Sequence, residues 1–257
     1  MGISDWLAIA SLLISGVALF RPEMEKALTK FVGGVKFYPP GEIQVGYTGF
    51  GPTITFTTVL SSGYGTVFLH DMSLVVTKLS DRSIHRLPWK VFRKLNYLDL
   101  SKSELEPAAA ITLTDAATHK LNILFSDQDA VARLNPLAEA LQADMFARAK
   151  EKWKTVPEKD SGEFQRFSEA YRSNKGAEIS AFVMGLAREF YWESGSYALD
   201  IQFFISGRLK PIKYSYAFSL TSEDERNLRS SYPVIVEGVT AKKMVVFPEA
   251  QCKLVAK

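Results

Sequence analysis

The chain has 257 residues, with 31 Lys and Arg against 28 Asp and Glu, a formal net charge of +3. That surplus is too small for a dedicated nucleic-acid binder, whose affinity rests on neutralising many phosphates. Cys252 is the single cysteine, so an internal disulfide and a cysteine-based zinc site are excluded, and a reducing compartment fits.

Residues 6–20, WLAIASLLISGVALF, hold no charge, and only Ser11 and Ser15 carry polar side chains. Extended back to Ile3, with Asp5 near its end, the run approaches the ~20 residues of a membrane span. Local thinning or an upright pose covers the shortfall. Trp6 and Phe20 stand where interfacial aromatics belong. A cleaved signal peptide wants a basic start, and residues 1–5 contain no Lys or Arg. A buried core helix is the blander alternative.

Basic side chains flank only the C-terminal side of the run, at Arg21, Lys26, Lys30 and Lys36. The expected location is therefore a membrane, crossed once, with the N-terminus outside and the remainder cytoplasmic. The same residues can meet anionic lipid headgroups. Ala8, Ser11, Ser15 and Ala18 form a stripe of small residues at spacings of three and four. Such stripes let spans pack closely, which makes a homo-oligomer the expected consequence.

Past a short helical stalk at residues 22–32, Gly33-Gly34 breaks the helix and residues 35–38 are extended. From residue 42 to 125 the period is two. Ile43, Val45 and Tyr47 alternate with polar neighbours; so do Ile54, Phe56 and Leu60, and then Phe68, His70, Met72, Leu74 and Val76. Alternation of this kind predicts half-buried antiparallel strands, with later ones at residues 110–114 and 120–125. Turns fall at residues 49–52, 61–65 and 80–81.

Residues 126–156 switch to a helical period. Ser126 with Asp129 caps a first turn, and Asn135-Pro136 restarts the helix. Leu137, Leu141, Met145, Ala149 and Trp153 make an apolar stripe suited to packing on a sheet. A charged linker at residues 157–162 precedes a second helical region, residues 163–186, in which residues 177–184 have an extended alternative. The last third returns to strands: residues 197–205 and 212–220 form a hairpin turning at Ser206-Gly207-Arg208. Residues 222–225, SEDE, read as a capping box, and residues 234–236 and 243–247 as final strands.

Trp192-Glu193-Ser194-Gly195-Ser196-Tyr197 stands at the start of that hairpin. An acidic-x-Gly-x-Tyr pattern there resembles the tyrosine corner of immunoglobulin-like sandwiches, in which the hydroxyl closes on upstream backbone. Leu199 occupies the place of the antibody-domain cysteine, so the disulfide form is excluded. The expected fold is mainly β with α insertions, an antiparallel immunoglobulin-like β-sandwich behind one transmembrane helix. Its segments are residues 1–33 (span and stalk), 34–126 (first part of the sandwich), 127–190 (helical insertion) and 191–257 (second part). Two small domains split near Pro157 are the alternative.

Catalytic motifs are absent: there is no G-x-S-x-G elbow, P-loop, H-E-x-x-H or C-x-x-C. Gly46, Gly49 and Gly51 lie between strands and read as a turn. His70, His85 and His119 show no metal-ligand spacing. No metal, cofactor or enzymatic activity is expected. The richest cluster is residues 82–97, RSIHRLPWKVFRKLNY, where Arg82, His85, Arg86, Lys90, Arg93 and Lys94 interleave with Trp89, Phe92 and Tyr97. It is a candidate ligand- or headgroup-binding surface, centred on Arg82, His85, Arg86, Trp89, Lys90, Arg93 and Lys94. The bland alternative turns Leu87, Trp89 and Val91 to the core and the basic residues to water.

The sequence thus predicts a membrane-anchored binding, scaffold or sensor module for a partner protein or a small anionic ligand. Membrane lipid and self-association are its other expected partners, and dedicated nucleic-acid binding is not expected. An oligomeric membrane-perturbing effector and an anchored hydrolase are the alternatives.

Overall fold

The computed structural model describes residues 34–257, apart from residues 50, 64, 95–104, 116, 158–160, 175, 242–245 and 257 and the side chains of residues 93, 94 and 105. The expected span at residues 6–20, its stripe of Ala8, Ser11, Ser15 and Ala18, and the stalk lie outside the described residues. No helix among the described residues is long and apolar enough to cross a membrane.

The alternating segments form strands: β1 (Val35–Tyr38), β2 (Glu42–Thr48), β3 (Gly51–Ser62), β4 (Val67–Lys78), β5 (Ile84–Lys94), β6 (Leu105–Pro107), β7 (Ile111–Leu113) and β8 (His119–Ser126). Three helices follow, α1 (Gln128–Lys152), α2 (Gly162–Ser173) and α3 (Ala177–Glu189). The chain ends with β9 (Gly195–Ile205), β10 (Ile212–Leu220), α4 (Ser222–Arg229), α5 (Ser231–Ala241), β11 (Glu249–Lys253) and β12 (Val255–Ala256).

Every pairing is antiparallel, in the order β11-β2-β3-β8-β5-β4-β9-β10-β12, with β1 on β3, β6 on β5 and β7 on β4. The two outermost strands, β11 and β12, are halves of one stretch separated only by Leu254, so the sheet returns on itself and is barrel-like. Two bends make the closure. The first half of β5 pairs with β4 as far as Pro88; past an irregularity at Lys90, the second half pairs with β8. On the far side the last stretch leaves β2 for β10 at Leu254. Strands that switch partners at a bulge or bend turn the corners of such a sheet.

This corrects the immunoglobulin-like expectation, because hydrogen bonding runs around both corners instead of leaving two separate sheets. The tyrosine corner is present within it: the Tyr197 hydroxyl donates to the Glu193 carbonyl at 2.6 Å and lies 3.2 Å from that of Tyr191. Beside it Trp192 is fully buried and donates its indole N–H to Gly46 O at 3.0 Å, tying β2 to the start of β9.

A second bulge changes a face. β4 slips register between Leu69 and Asp71 against β9, so Leu69 and Met72 both point inward while Phe68 and His70 point out. The expectation that Phe68 and His70 share the face of Met72 is corrected accordingly. Helix starts differ by similar local details. Asp127, not Ser126, caps α1, its carboxylate accepting from Ala130 N at 3.0 Å, and α1 continues through Pro136 without a restart. Thr221 and Asp224 form the capping box of α4, one residue ahead of the expected SEDE. Residues 177–184 are helical, and residues 234–236 belong to α5 instead of a strand.

Following the strands fixes two ends. Gly51, Asp127, Lys78 and Gly195 lie at the end where the helices pack; Ser62, Val67, Ile205 and Ile212 lie at the other, beside Val35. A 12-residue strand such as β3 spans about 40 Å between them. Phe37 enters the core at the Val35 end, with ring centroids 5.3–6.3 Å from Phe56, Phe203, Tyr214 and Tyr216.

Candidate functional site

The basic-aromatic cluster does not form one surface. Arg82 sits in the β4–β5 turn with a left-handed φ of 62°, and Arg86 is exposed on the outer face of β5. His85, Leu87 and Trp89 point the other way, and Trp89 is buried and stacked on Phe92, with centroids 5.7 Å apart. The irregularity at Lys90 then reverses the alternation, so Phe92, not Val91, is the next core side chain. Lys90 is half-buried; the side chains of Arg93 and Lys94, and all of Tyr97, lie outside the described residues. The members near the turn stand at the helix end, about 40 Å of strand from Val35.

His85 instead joins a buried polar group. Its ring stacks on Tyr191 with centroids 3.5 Å apart, and its Nδ1 is 3.9 Å from Asp127 Oδ2. Burial lowers the His85 pKa, opposed by the charges of Asp127 and Asp81. Burial, reinforced by the charge of Asp127 and the approach of its carboxylate to the hydroxyl, raises the Tyr191 phenol well above its ordinary range. A neutral imidazole packed on a neutral phenol is a structural arrangement. The described residues bring no hydroxyl or thiol into hydrogen bonding with His85 that would complete a nucleophilic triad. No group of three metal-ligating side chains is present among the described residues.

The concave feature lies elsewhere, on the helical layer. α2, α3 and α5, with the end of α4, enclose an open groove of about 900 Å³. Its wall from α3 is Ile179, Val183 and Met184; α5 contributes Tyr232, Val234 and Val236. Most of this lining is apolar, and Met184 is 72% exposed. Two guanidiniums reach it. Arg229 is held by Glu225 at 3.0 Å, lies 4.3 Å from the centroid of the Phe190 ring and donates to the Tyr232 hydroxyl at 3.3 Å. Burial opposes the charge of Arg229, but the Glu225 carboxylate outweighs it and keeps the guanidinium charged. Arg172 donates to Ser168 Oγ at 2.7 Å and Thr240 Oγ1 at 3.2 Å and has no carboxylate partner among the described residues. Glu169 and Glu237 complete the rim.

The groove is fixed to the barrel. The Tyr47 hydroxyl on β2 donates to Leu186 O of α3 at 2.7 Å, and its ring packs on Phe190 and Tyr232 at 5.2 and 5.6 Å. Burial is the main cause of its raised phenol pKa. On the other side of α3, Glu189 is buried between Arg133 of α1, at 2.7 Å, and Arg188, at 3.1 Å. Burial works to raise the Glu189 carboxyl, and the two guanidiniums outweigh it and hold it below the usual range.

Sequence reasoning missed this groove because residues 177–184 carried an extended alternative and residues 234–236 read as a strand. A signal was present. On a helix Ile179, Phe182 and Leu186 share the core face with Val183 at its margin, which leaves Met184 as an exposed apolar residue beside them.

Comparison with protein-family models, curated proteins and solved structures gives no match.

Proposed function

We propose that this chain is a single-pass membrane-anchored binding protein, held in the bilayer by residues 6–20, that presents a barrel-like cytoplasmic domain to a partner. The helical groove carries the reading: an apolar trough of about 900 Å³ with Arg172, which has no carboxylate partner among the described residues, on its wall. That size and lining suit an apolar ligand or partner segment bearing a carboxylate or phosphate, which a guanidinium recognises in a bidentate way. The arrangement of the ends supports the topology. Residues 1–33 join the barrel at Val35, and the groove lies at the opposite end, where a tethered domain faces away from the bilayer. The basic residues Arg21, Lys26, Lys30 and Lys36 favour the cytoplasmic side for the domain.

Two measurements test it. Membranes washed with alkaline carbonate retain the full chain and release a version lacking residues 1–33; release of the full chain sinks the anchor. A photo-crosslinker replacing Met184 captures a partner in cells, and Arg172→Gln, which removes the charge and keeps a side-chain donor for Ser168 and Thr240, abolishes that capture in a chain that still unfolds cooperatively. Capture indifferent to Arg172 excludes the groove as the recognition site.

A further inference from the structure

The β9–β10 turn carries an unusual tip. Leu209 is wholly exposed, and it is flanked by Arg208 and Lys210, neither of which has a carboxylate partner among the described residues. Gly207, with φ at +82°, makes the reversal, and Arg208 N closes it on Ile205 O at 3.1 Å. A single exposed leucine is ordinary on a surface. Here it has an aromatic neighbour. The register slip at His70 turns Phe68 outward, 47% exposed, and Phe68 O accepts from Ser206 N at 3.0 Å, at the base of the same tip. Val35, where residues 1–33 join the barrel, is pinned to this end as well, its carbonyl accepting from the Tyr214 hydroxyl near the start of β10 at 2.7 Å.

We propose that the β9–β10 tip is a second, reversible membrane contact: Leu209 and Phe68 enter the interface of an anionic bilayer while Arg208 and Lys210 meet its headgroups. This rests on the anchoring reading, because a span at residues 6–20, followed by a short stalk, enters the barrel at Val35 and so turns the same end of the barrel toward the lipid. Apolar side chains ringed by cations are the chemistry of interfacial binding, and the attraction is to acidic lipid. The contact sets the tilt of the barrel and keeps the groove pointed away from the membrane.

The test uses the full chain reconstituted in phosphatidylcholine vesicles with or without phosphatidylserine. Leu209→Cys carries an environment-sensitive fluorophore, and Arg82→Cys carries the same label at the opposite end. Cys252 stays unlabelled because it is buried and its thiol is pushed up to about 12. With phosphatidylserine, the label at 209 shifts to the blue and is quenched by lipid-borne quenchers, and the label at 82 keeps its aqueous emission. Arg208→Gln with Lys210→Gln lowers the bound-to-free ratio of the tip about thirtyfold, each cation supplying about a fivefold factor. A label at 209 that stays aqueous while the chain resists a carbonate wash overturns the tip contact and leaves the anchor standing. An equal shift without phosphatidylserine overturns the role of the two cations. A chain washed off the vesicles overturns the anchor and the contact together.

Discussion

The Tyr197 hydroxyl bonds to the Glu193 carbonyl, and the ring stacks on Phe218 with centroids 5.0 Å apart. Tyr197→Phe removes the bond and keeps the ring, so it costs about 1 kcal/mol in urea unfolding. Tyr197→Ala also empties a fully buried site and costs about 3–5 kcal/mol. His85 and Glu189 give the fold an acid limit in two steps. The folded His85 pKa lies below its ordinary value of 6.5, so the unfolded chain takes up the proton first and stability falls as pH drops below 6.5. The folded Glu189 pKa lies below 4.5, so its contribution is complete above that pH and is lost as pH falls through the lowered value. Unfolding free energy measured against pH loses the first step in His85→Phe, which keeps the stack on Tyr191, and loses the second in Glu189→Gln.

At the scale of elements, small residues let α3 lie against α1. A Cβ on Gly185 would stand 2.4 Å from Leu137 Cδ1, the tip of a flexible side chain. Gly185→Ala therefore stays close to neutral, since Leu137 swings aside and alanine gains helix propensity of about 1 kcal/mol. Gly185→Leu has no room, and it lowers stability by about 2–3 kcal/mol in the same unfolding measurement. The apolar stripe of α1 was legible at its centre: Leu141, Met145 and Ala149 are fully buried, as their spacing predicts, while Leu137 is half-buried and Trp153 is the half-buried cap just past the helix. The caps were legible only to within a residue, because Ser126 and Asp127, or Thr221 and Ser222, are equally good capping types. Which of them caps depends on where the preceding strand releases the chain. α5 misled because Val234-Ile235-Val236 is a strand-like triplet. Packing of Ile235 and Val236 against the core and of Thr240 into the helix overrides that preference.

For the whole molecule, closure through the bent β11–β12 stretch covers the edges of both β2 and β10. A chain ending before Glu249 leaves those edges unpaired, and open edges recruit other strands. Size-exclusion chromatography of that truncation shows self-association or aggregation; a stable monomer with an unchanged melt contradicts the closure. The same topology sets the two ends of the barrel apart, one beside Val35 and the other under the groove. The proposed membrane contact at the first and the proposed partner recognition at the second would lie along one axis about 40 Å long.

Most of what the sequence determined by itself was local. Alternation placed β1, β2, β3, β8, β9 and β10, the stripe placed the face of α1, and one six-residue pattern located the tyrosine corner. Only the tertiary structure decided which faces those strands turn after the slips at His70 and Lys90, that the sheet closes, and that three helices leave a groove beside Arg172. The reason is one of range. A repeat of two or 3.6 is written in neighbouring residues, whereas a bulge, a corner or a groove depends on partners more than a hundred residues away, as β4 finds β9 and β2 finds β11.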